Sequence, residues 1–162
     1  MSSDGAAMRD GHVTAPPAGW LGFCERNSGD PYCRPVDITT ARFNELQRIH
    51  SEVRALGKQA DAPGTDIWTV STSEAGDCED HALTVRAKLL AAGWPPRSLR
   101  LATGWTEKGI YHAVLTIDGR RGGALVTYVI DSRYAAVHHW QDLDYRWDRR
   151  QAAGQPFWIT VA

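Results

Sequence analysis

The pattern of apolar residues along the chain predicts an α+β domain, with N-terminal helices packed on an antiparallel sheet. Apolar residues recur at helical spacing up to about residue 92, and from residue 99 onwards they alternate with polar residues as in strands. The sequence DGRRGG at 118–123 separates two of the alternating runs and is typical of a β-hairpin turn. These observations put the helices first and the sheet after them.

Two helices are predicted before the sheet. The first spans about residues 39–56, because residues 37–40 resemble a helix N-cap and Gly57 ends the apolar repeat. The second spans about residues 78–92, since Gly93 and the two prolines that follow prevent it from continuing. The apolar residues that carry the two repeats are Phe43, Leu46, Ile49, Val53, Leu56, Ala82, Val85, Leu89 and Leu90.

Four strands are predicted in the sheet. They cover residues 99–105, 111–117, 124–131 and 156–161, and the middle two are the arms of the hairpin. If the hairpin closes symmetrically about residues 120 and 121, His112 faces Val129 across the two strands.

Composition and charge narrow the class of function. The chain has 162 residues, of which 43% are hydrophobic and 23% are charged, as in an ordinary globular domain. A net charge of −1 leaves no basic surplus for nucleic acid, and no apolar run is long enough to insert into a membrane. Residues 1–19 are rich in Ser, Gly, Ala, Pro and Asp and are expected to be flexible, so the folded domain is predicted at 20–162.

The N-terminal residues and two cysteines bear on the compartment. Residues 1–19 lack the apolar core of a signal peptide, so the protein is either cytosolic or an exported protein cut near its mature N-terminus. Cys24 and Cys33 flank a loop of turn-forming residues, and we expect a disulfide between them, which would stabilise the fold by roughly 2–3 kcal/mol. Such a bond persists only in an oxidising compartment.

Cys78 is the candidate nucleophile. It is predicted in the first turn of the second helix, where unpaired backbone N–H groups and the helix dipole would favour an exposed thiolate. The same N–H groups would bind an oxyanion that forms on an attacked carbonyl. A structural cysteine usually lies in an apolar stretch, whereas Cys78 has glycine and acids around it, which favours the catalytic interpretation.

His112 and Asp131 are the candidate base and its orienting carboxylate. In the predicted hairpin register Asp131 is a diagonal cross-strand neighbour of His112 on the same face, at about 7–8 Å between Cβ atoms or less. A carboxylate there would fix the ring orientation and leave the other ring nitrogen to serve the thiol. A slip of one residue would put the two side chains on opposite faces.

The sequences GDCED at 76–80, YHAVL at 111–115 and VIDS at 129–132 resemble the bacterial transglutaminase-like cysteine peptidases, and residues 20–33 resemble members with a paired-cysteine loop. The resemblance implies a papain-like fold and carries the triad onto Cys78, His112 and Asp131. The best-known members are periplasmic, calcium-dependent proteases that release large surface adhesins. The resemblance therefore implies a large surface adhesin as the protein substrate, a periplasmic location and an inner-membrane regulatory receptor. His81 departs from the family, which frequently has an aromatic residue there.

The acids beside Cys78 are candidate calcium ligands. Asp77, Glu79 and Asp80 would oppose ionisation of the thiol unless a cation balanced them, and hard oxygen ligands suit calcium. The resemblance implies the same, because members of the family use acids beside the cysteine. Asp77 is alternatively the helix N-cap, with Asp80 in a variant of the capping box.

Two other functions remain open from the sequence. A non-catalytic zinc module would use Cys78 and His81, one helical turn apart, with His112 and Asp131 as further ligands. An acyl transferase such as a transglutaminase would use the same triad and differ only in the acceptor of the acyl group. The triad itself does not distinguish transfer from hydrolysis.

Overall fold

A computed structural model describes residues 6, 8–9, 11, 14, 17–20, 22–27, 30, 33–56, 73–153 and 157–161, without the side chains of residues 24, 25 and 73–77. The chain forms two compact units, residues 1–34 and 35–162. In the first unit a 3₁₀ turn precedes a short helix, α1 (Phe23–Arg26), and the Trp20 ring stacks on Phe23 at 4.6 Å between centroids.

Two long helices belong to the second unit. The helix α2 (Thr40–Ala55) begins where the sequence predicts it, because the Thr39 hydroxyl accepts a hydrogen bond from the Arg42 N–H. The helix α3 (Ser73–Ala91) ends close to its predicted end, and Gly93 follows at a φ of 94°, which suits glycine. It begins five residues earlier than predicted.

The two long helices pack on a six-stranded antiparallel sheet, which confirms the predicted α+β class. Its strands run in the order β4-β3-β2-β1-β5-β6. Their bounds are β1 (Leu99–Trp105), β2 (Tyr111–Arg121), β3 (Ala124–Ile130), β4 (His138–His139), β5 (Arg146–Gln151) and β6 (Trp158–Thr160). The first strand has its predicted bounds. The sequence did not predict β4 or β5, because neither alternates apolar with polar residues.

The hairpin of β2 and β3 closes two residues further along than predicted. Gly122 and Gly123 have φ angles of 57° and 85°, so the turn forms where two adjacent residues tolerate positive φ. Arg121 therefore pairs with Ala124, and Val129 lies opposite Thr116 rather than His112. The predicted register was wrong. Because the shift is an even number of residues, it keeps His112 and Asp131 on one face.

Both faces of the sheet are covered. The larger apolar cluster joins α2 and α3 to residues such as Leu115, Ile117 and Ile130. The opposite face has a smaller cluster, Ala102, Val114, Val129 and Leu143. His112 and Asp131 lie at the end of this second face, next to Val114 and Val129 in the alternation of the strands. Among the described residues no helix is long and apolar enough to cross a membrane.

Candidate active site

Cys78 lies on α3 against the start of β2. Its residue is only 2% exposed, and its sulfur accepts a hydrogen bond from the Ala113 N–H at 3.4 Å. The side chain is a thiol and not part of a disulfide. The sequence predicted an exposed thiol, so the prediction of exposure was wrong. The contact puts the sulfur beside the backbone that carries His112.

The start of α3 at Ser73 also corrects the predicted helix position of Cys78. The open N–H groups of a helix belong to its cap and first three residues, whereas Cys78 is the sixth residue of α3. The effect of the helix dipole is confined to the first turn. The predicted role of the helix N-terminus in forming a thiolate and an oxyanion hole therefore does not apply.

His112 and Asp131 form a direct hydrogen bond. The Nε2 atom of His112 lies 2.7 Å from Oδ1 of Asp131, and both residues are buried. His112 is the second residue of β2, and Asp131 directly follows β3. The structure thus brings these two predicted site residues together at one end of the sheet. It leaves Nδ1 as the ring nitrogen available to the thiol.

The electrostatics of His112 favour an imidazolium. Burial alone would lower its pKa, but the hydrogen bonds with Asp131 and Cys78, together with their charges, raise the pKa to about 9. The ring is therefore protonated at neutral pH. A protonated imidazole beside a sulfur stabilises the thiolate form that acts as a nucleophile.

Asp131 has more partners than the sequence indicated. Its Oδ1 atom also accepts the Arg133 N–H at 2.9 Å, and its Oδ2 atom accepts the Tyr145 hydroxyl at 2.5 Å. Burial alone would raise the pKa of Asp131, but His112, Tyr145 and the Arg133 backbone outweigh it and keep the pKa low. The carboxylate is therefore charged and fixed at both oxygens.

Tyr145 and Arg133 were missed by the sequence analysis. Burial and the hydrogen bond to Asp131 raise the pKa of Tyr145, so its hydroxyl remains a donor. Arg133 donates to the Tyr145 oxygen at 2.8 Å and makes a two-pronged ion pair with Glu107, in the loop before His112. Tyr145 precedes an unpredicted strand, so no periodicity marked it. The only signal was that Arg133 follows Asp131 by two residues.

His81 contacts a second histidine, on the neighbouring helix. Its Nε2 atom lies 2.9 Å from Nδ1 of His50 on α2, and His50 is fully buried. Burial and the neighbouring His50 lower the pKa of His81 to about 4, and burial also lowers the pKa of His50. Among the described residues no group of three or more His, Cys, Asp or Glu side chains would hold a metal ion. The geometry therefore does not support the zinc site of Cys78, His81 and His112.

Two predictions at the edges of the described region stay predictions. Glu79 is buried beside Cys78 and Asp80 is half-buried, but the side chain of Asp77 lies outside the described residues. The set of three acids proposed for calcium is therefore not tested as a whole. The side chain of Cys24 also lies outside the described residues, so its pairing with Cys33 stays a prediction.

Comparison with known proteins places this geometry in a wider group. The sequence model of the bacterial transglutaminase-like cysteine proteinases matches residues 10–162. No curated protein sequence matches the chain.

Among solved structures, the chain is similar to Legionella pneumophila LapG at 17% identity and a TM-score of 0.54, over 72% of this chain and 67% of LapG. A calcium-bound LapG structure is 17% identical with a TM-score of 0.55, over 73% of this chain and 68% of LapG. An EGTA-treated LapG structure is 16% identical with a TM-score of 0.53, over 73% of this chain and 71% of LapG. The predicted transglutaminase-like fold is confirmed.

Proposed function

Because the chain belongs to the bacterial transglutaminase-like cysteine proteinases, and is thus a cysteine peptidase, we propose that it is an endopeptidase with a Cys78–His112–Asp131 triad. The observation that best supports this assignment is the 2.7 Å hydrogen bond between His112 Nε2 and Asp131 Oδ1. This hydrogen bond leaves Nδ1 for the thiol, so that His112 can serve as the general base of the Cys78 nucleophile. The raised pKa of His112 supports the same roles.

In the first half of the reaction, the Cys78 thiolate attacks the carbonyl carbon of the scissile peptide bond. The protonated His112 then donates its Nδ1 proton to the leaving amine as the C–N bond breaks. The products are a free amine and a thioester between the substrate acyl group and Cys78. Asp131 stays ionised and keeps the His112 ring aimed at the sulfur, with Tyr145 and Arg133 fixing the carboxylate.

In the second half, the neutral His112 takes a proton from a water molecule that attacks the thioester. The C–S bond breaks, the acid product leaves, and the thiolate and imidazolium are restored. Attack by an amine in place of water would give the acyl transfer of a transglutaminase. Membership of a proteinase family favours water as the acceptor.

The proposal is tested with a library of quenched-fluorescence peptides and the purified protein. Cleavage by the wild type and none by Cys78→Ala is expected. Mass spectrometry in ¹⁸O water distinguishes the two reactions, because hydrolysis adds one heavy oxygen to the new carboxyl end. A product that carries an added amine and no heavy oxygen would favour the acyl transferase. A Cys78→Ala variant that cleaves as fast as the wild type would contradict the triad.

We also propose that the natural substrate is a large bacterial surface adhesin and that the protein acts in the periplasm under an inner-membrane receptor. The support is the family resemblance of the sequence motifs. Fractionation of cells that produce the protein, followed by intact mass under non-reducing conditions, tests the location. A Cys24–Cys33 disulfide makes the chain two hydrogens lighter than the reduced form. Two thiols at these positions, in protein from a cytosolic fraction, would contradict the periplasmic location.

Calcium dependence is a further part of the proposal. Glu79 and Asp80 offer the hard carboxylate oxygens that calcium prefers, Asp77 would be the third ligand, and similar LapG structures are described as calcium-bound and EGTA-treated. A cation here would offset three negative charges beside the thiolate. Cleavage assays in EGTA, with calcium or magnesium then restored, test the site. Full activity in EGTA with no calcium-dependent rise in Tm would exclude it.

A further inference from the structure

A pair of buried histidines connects the helix of Cys78 with the helix packed beside it. His81 follows Cys78 by three residues on α3, so the two side chains leave the helix about one turn apart. The His81 ring meets His50 of α2 edge-on, with the ring planes at 81° and the centroids 5.0 Å apart. His50 is 0% exposed and His81 is 7% exposed. Two buried polar rings in direct contact must be hydrogen-bonded in a definite way.

The hydrogen-bond directions follow from the other partner of His50. Its Nε2 atom lies 2.7 Å from the backbone oxygen of Tyr134, which only accepts, so Nε2 carries the proton. In a neutral ring Nδ1 is then an acceptor, and the His81 Nε2–H must donate to it across 2.9 Å. Burial is the largest influence on the two rings and lowers the pKa of each, which is consistent with two neutral rings.

The chain of hydrogen bonds ends at the turn that carries Asp131. Tyr134, whose carbonyl accepts from His50, donates its own N–H to the backbone oxygen of Asp131 at 3.1 Å. The charged and titratable groups that face the two histidines are Arg54, Asp131 and His138. One continuous path thus runs from α3 through His81 and His50 to the backbone of Asp131.

We infer that His50 and His81 are positioning residues, which hold the helix of Cys78 in register with the turn of Asp131 and so keep the sulfur aligned with the His112 ring. The inference rests on the proposed triad. Cys78 is on a helix, whereas His112 and Asp131 belong to the sheet, so their spacing depends on how the helix is fixed to the turn. A displacement of about 1 Å between a nucleophile and its base can reduce a rate by about 100-fold.

The test compares two substitutions at one position. His81→Gln keeps an N–H donor near the place of Nε2, whereas His81→Phe keeps a ring of similar size and removes the donor. We expect His81→Phe to lower kcat by about 10- to 100-fold with KM within about twofold, since the chemistry and not binding depends on alignment. His81→Gln should keep kcat within about threefold of the wild type. The probe is the best-cleaved peptide of the quenched-fluorescence library, at a temperature well below every Tm.

The control separates alignment from stability. Val53 is buried on α2, three residues from His50, and lies outside the hydrogen-bond path. Val53→Ala should lower Tm and leave kcat within about twofold. A kcat that falls in Val53→Ala in proportion to Tm would overturn the inference, as would equal losses in His81→Gln and His81→Phe. A folded His81→Phe variant with the kcat of the wild type would overturn it as well.

A second position covers the case in which His81→Phe does not fold. His50→Phe keeps a ring of similar size and removes both the donor to the Tyr134 carbonyl and the acceptor of His81, so kcat should again fall by about 10-fold or more. An unchanged kcat in that variant overturns the inference. Cys78→Ala is assayed beside these variants. If Cys78→Ala is active, the proposed triad fails. If it is inactive while the histidine variants are fully active, only the positioning role fails.

Discussion

Two carboxylates lie on the same face of the sheet and have opposite kinds of partner. Asp131, at the site end, is 1% exposed and binds the His112 ring and the Tyr145 hydroxyl. Asp118 lies six residues after His112 along β2, and its side chain is 31% exposed. It accepts from Arg100 at 3.1 Å, from Thr127 at 2.7 Å and from Arg150.

The two carboxylates differ in whether their cationic partner, a histidine or an arginine, can release a proton. Arginine stays charged in proteins, so the Asp118 cluster is a fixed ion-pair network that joins β1, β2 and β5. Burial raises the pKa of Asp118, but Arg150 and the other donors outweigh it and keep the pKa low. Imidazole, by contrast, exchanges a proton near neutral pH. In the proposed mechanism, the same sheet face therefore uses one carboxylate for structure and the other for chemistry.

The largest expected effect is at the nucleophile, which only the Asp131 end possesses. Cys78→Ala should lower kcat/KM by at least about 1000-fold, because no other group at the site forms the thioester. Loss of one buried sulfur should cost about 1 kcal/mol of unfolding free energy, so the fold should persist. Peptide cleavage and thermal unfolding measure the two effects. Residual cleavage above about 1% of the wild type would contradict the role of Cys78.

Changing each carboxylate to its amide should affect catalysis at Asp131 and stability at Asp118. Asp131→Asn should lower kcat by about 100- to 10,000-fold, since an amide neither stabilises the imidazolium nor fixes its orientation. Asp118→Asn should leave kcat within about twofold and lower the unfolding free energy by about 1–3 kcal/mol, because Arg100 and Arg150 lose their counter-charge. Kinetics and denaturant unfolding of both variants check the contrast. Equal kinetic losses in the two would show that the distinction is not functional.

Two tyrosines give a finer version of the contrast. Tyr145→Phe removes the donor to Asp131 Oδ2 and should lower kcat by about 3- to 10-fold, in line with the loss of one hydrogen bond to a charged group. Tyr128→Phe is the matched control, because the Tyr128 oxygen accepts from Arg121 at 2.9 Å and does not contact Asp131. Its kcat should not change. A larger effect in the control would contradict the role of Tyr145.

The pH dependence of stability should differ between the two carboxylates. Folding raises the pKa of His112 from 6.5 to about 9, so its stabilisation is complete below pH 6.5 and is lost as the pH rises towards 9. The loss should amount to about 1–3 kcal/mol and should be smaller in Asp131→Asn, in which only Cys78 still raises the pKa of the ring. Asp118→Asn should keep it, since arginine does not titrate in this range. Unfolding free energies at pH 6 and pH 9.5 provide the measurement.

The sequence predicted the elements that rest on apolar periodicity or on turn chemistry. The N-cap region at residues 37–40 marked the start of α2, and the bounds of β1 were correct, because each follows from local residue preferences. The hairpin turn was misplaced by two residues because several positions in DGRRGG suit a turn, and only the two adjacent glycines fit its geometry. The start of α3 was missed because residues 73–77 carry no apolar repeat.

The site was predictable as a set of residue types and not as a network. Cys78, His112 and Asp131 stand in recognisable motifs, so the sequence predicted all three as site residues. Tyr145 and His50 were not named, because they reach the site from an irregular segment and from a neighbouring helix. Such contacts depend on tertiary packing between residues distant in sequence, and no local pattern encodes them. The burial of Cys78 was missed for the same reason.

An NMR titration of the His112 ring measures whether the ring is held as an imidazolium between Cys78 and Asp131. In the wild type the pKa of His112 should be about 9. Cys78→Ala and Asp131→Asn should each lower it, whereas Asp118→Asn should leave it unchanged. A His112 pKa near 6.5 that responds to neither Cys78→Ala nor Asp131→Asn would show that these two residues do not hold the ring as an imidazolium.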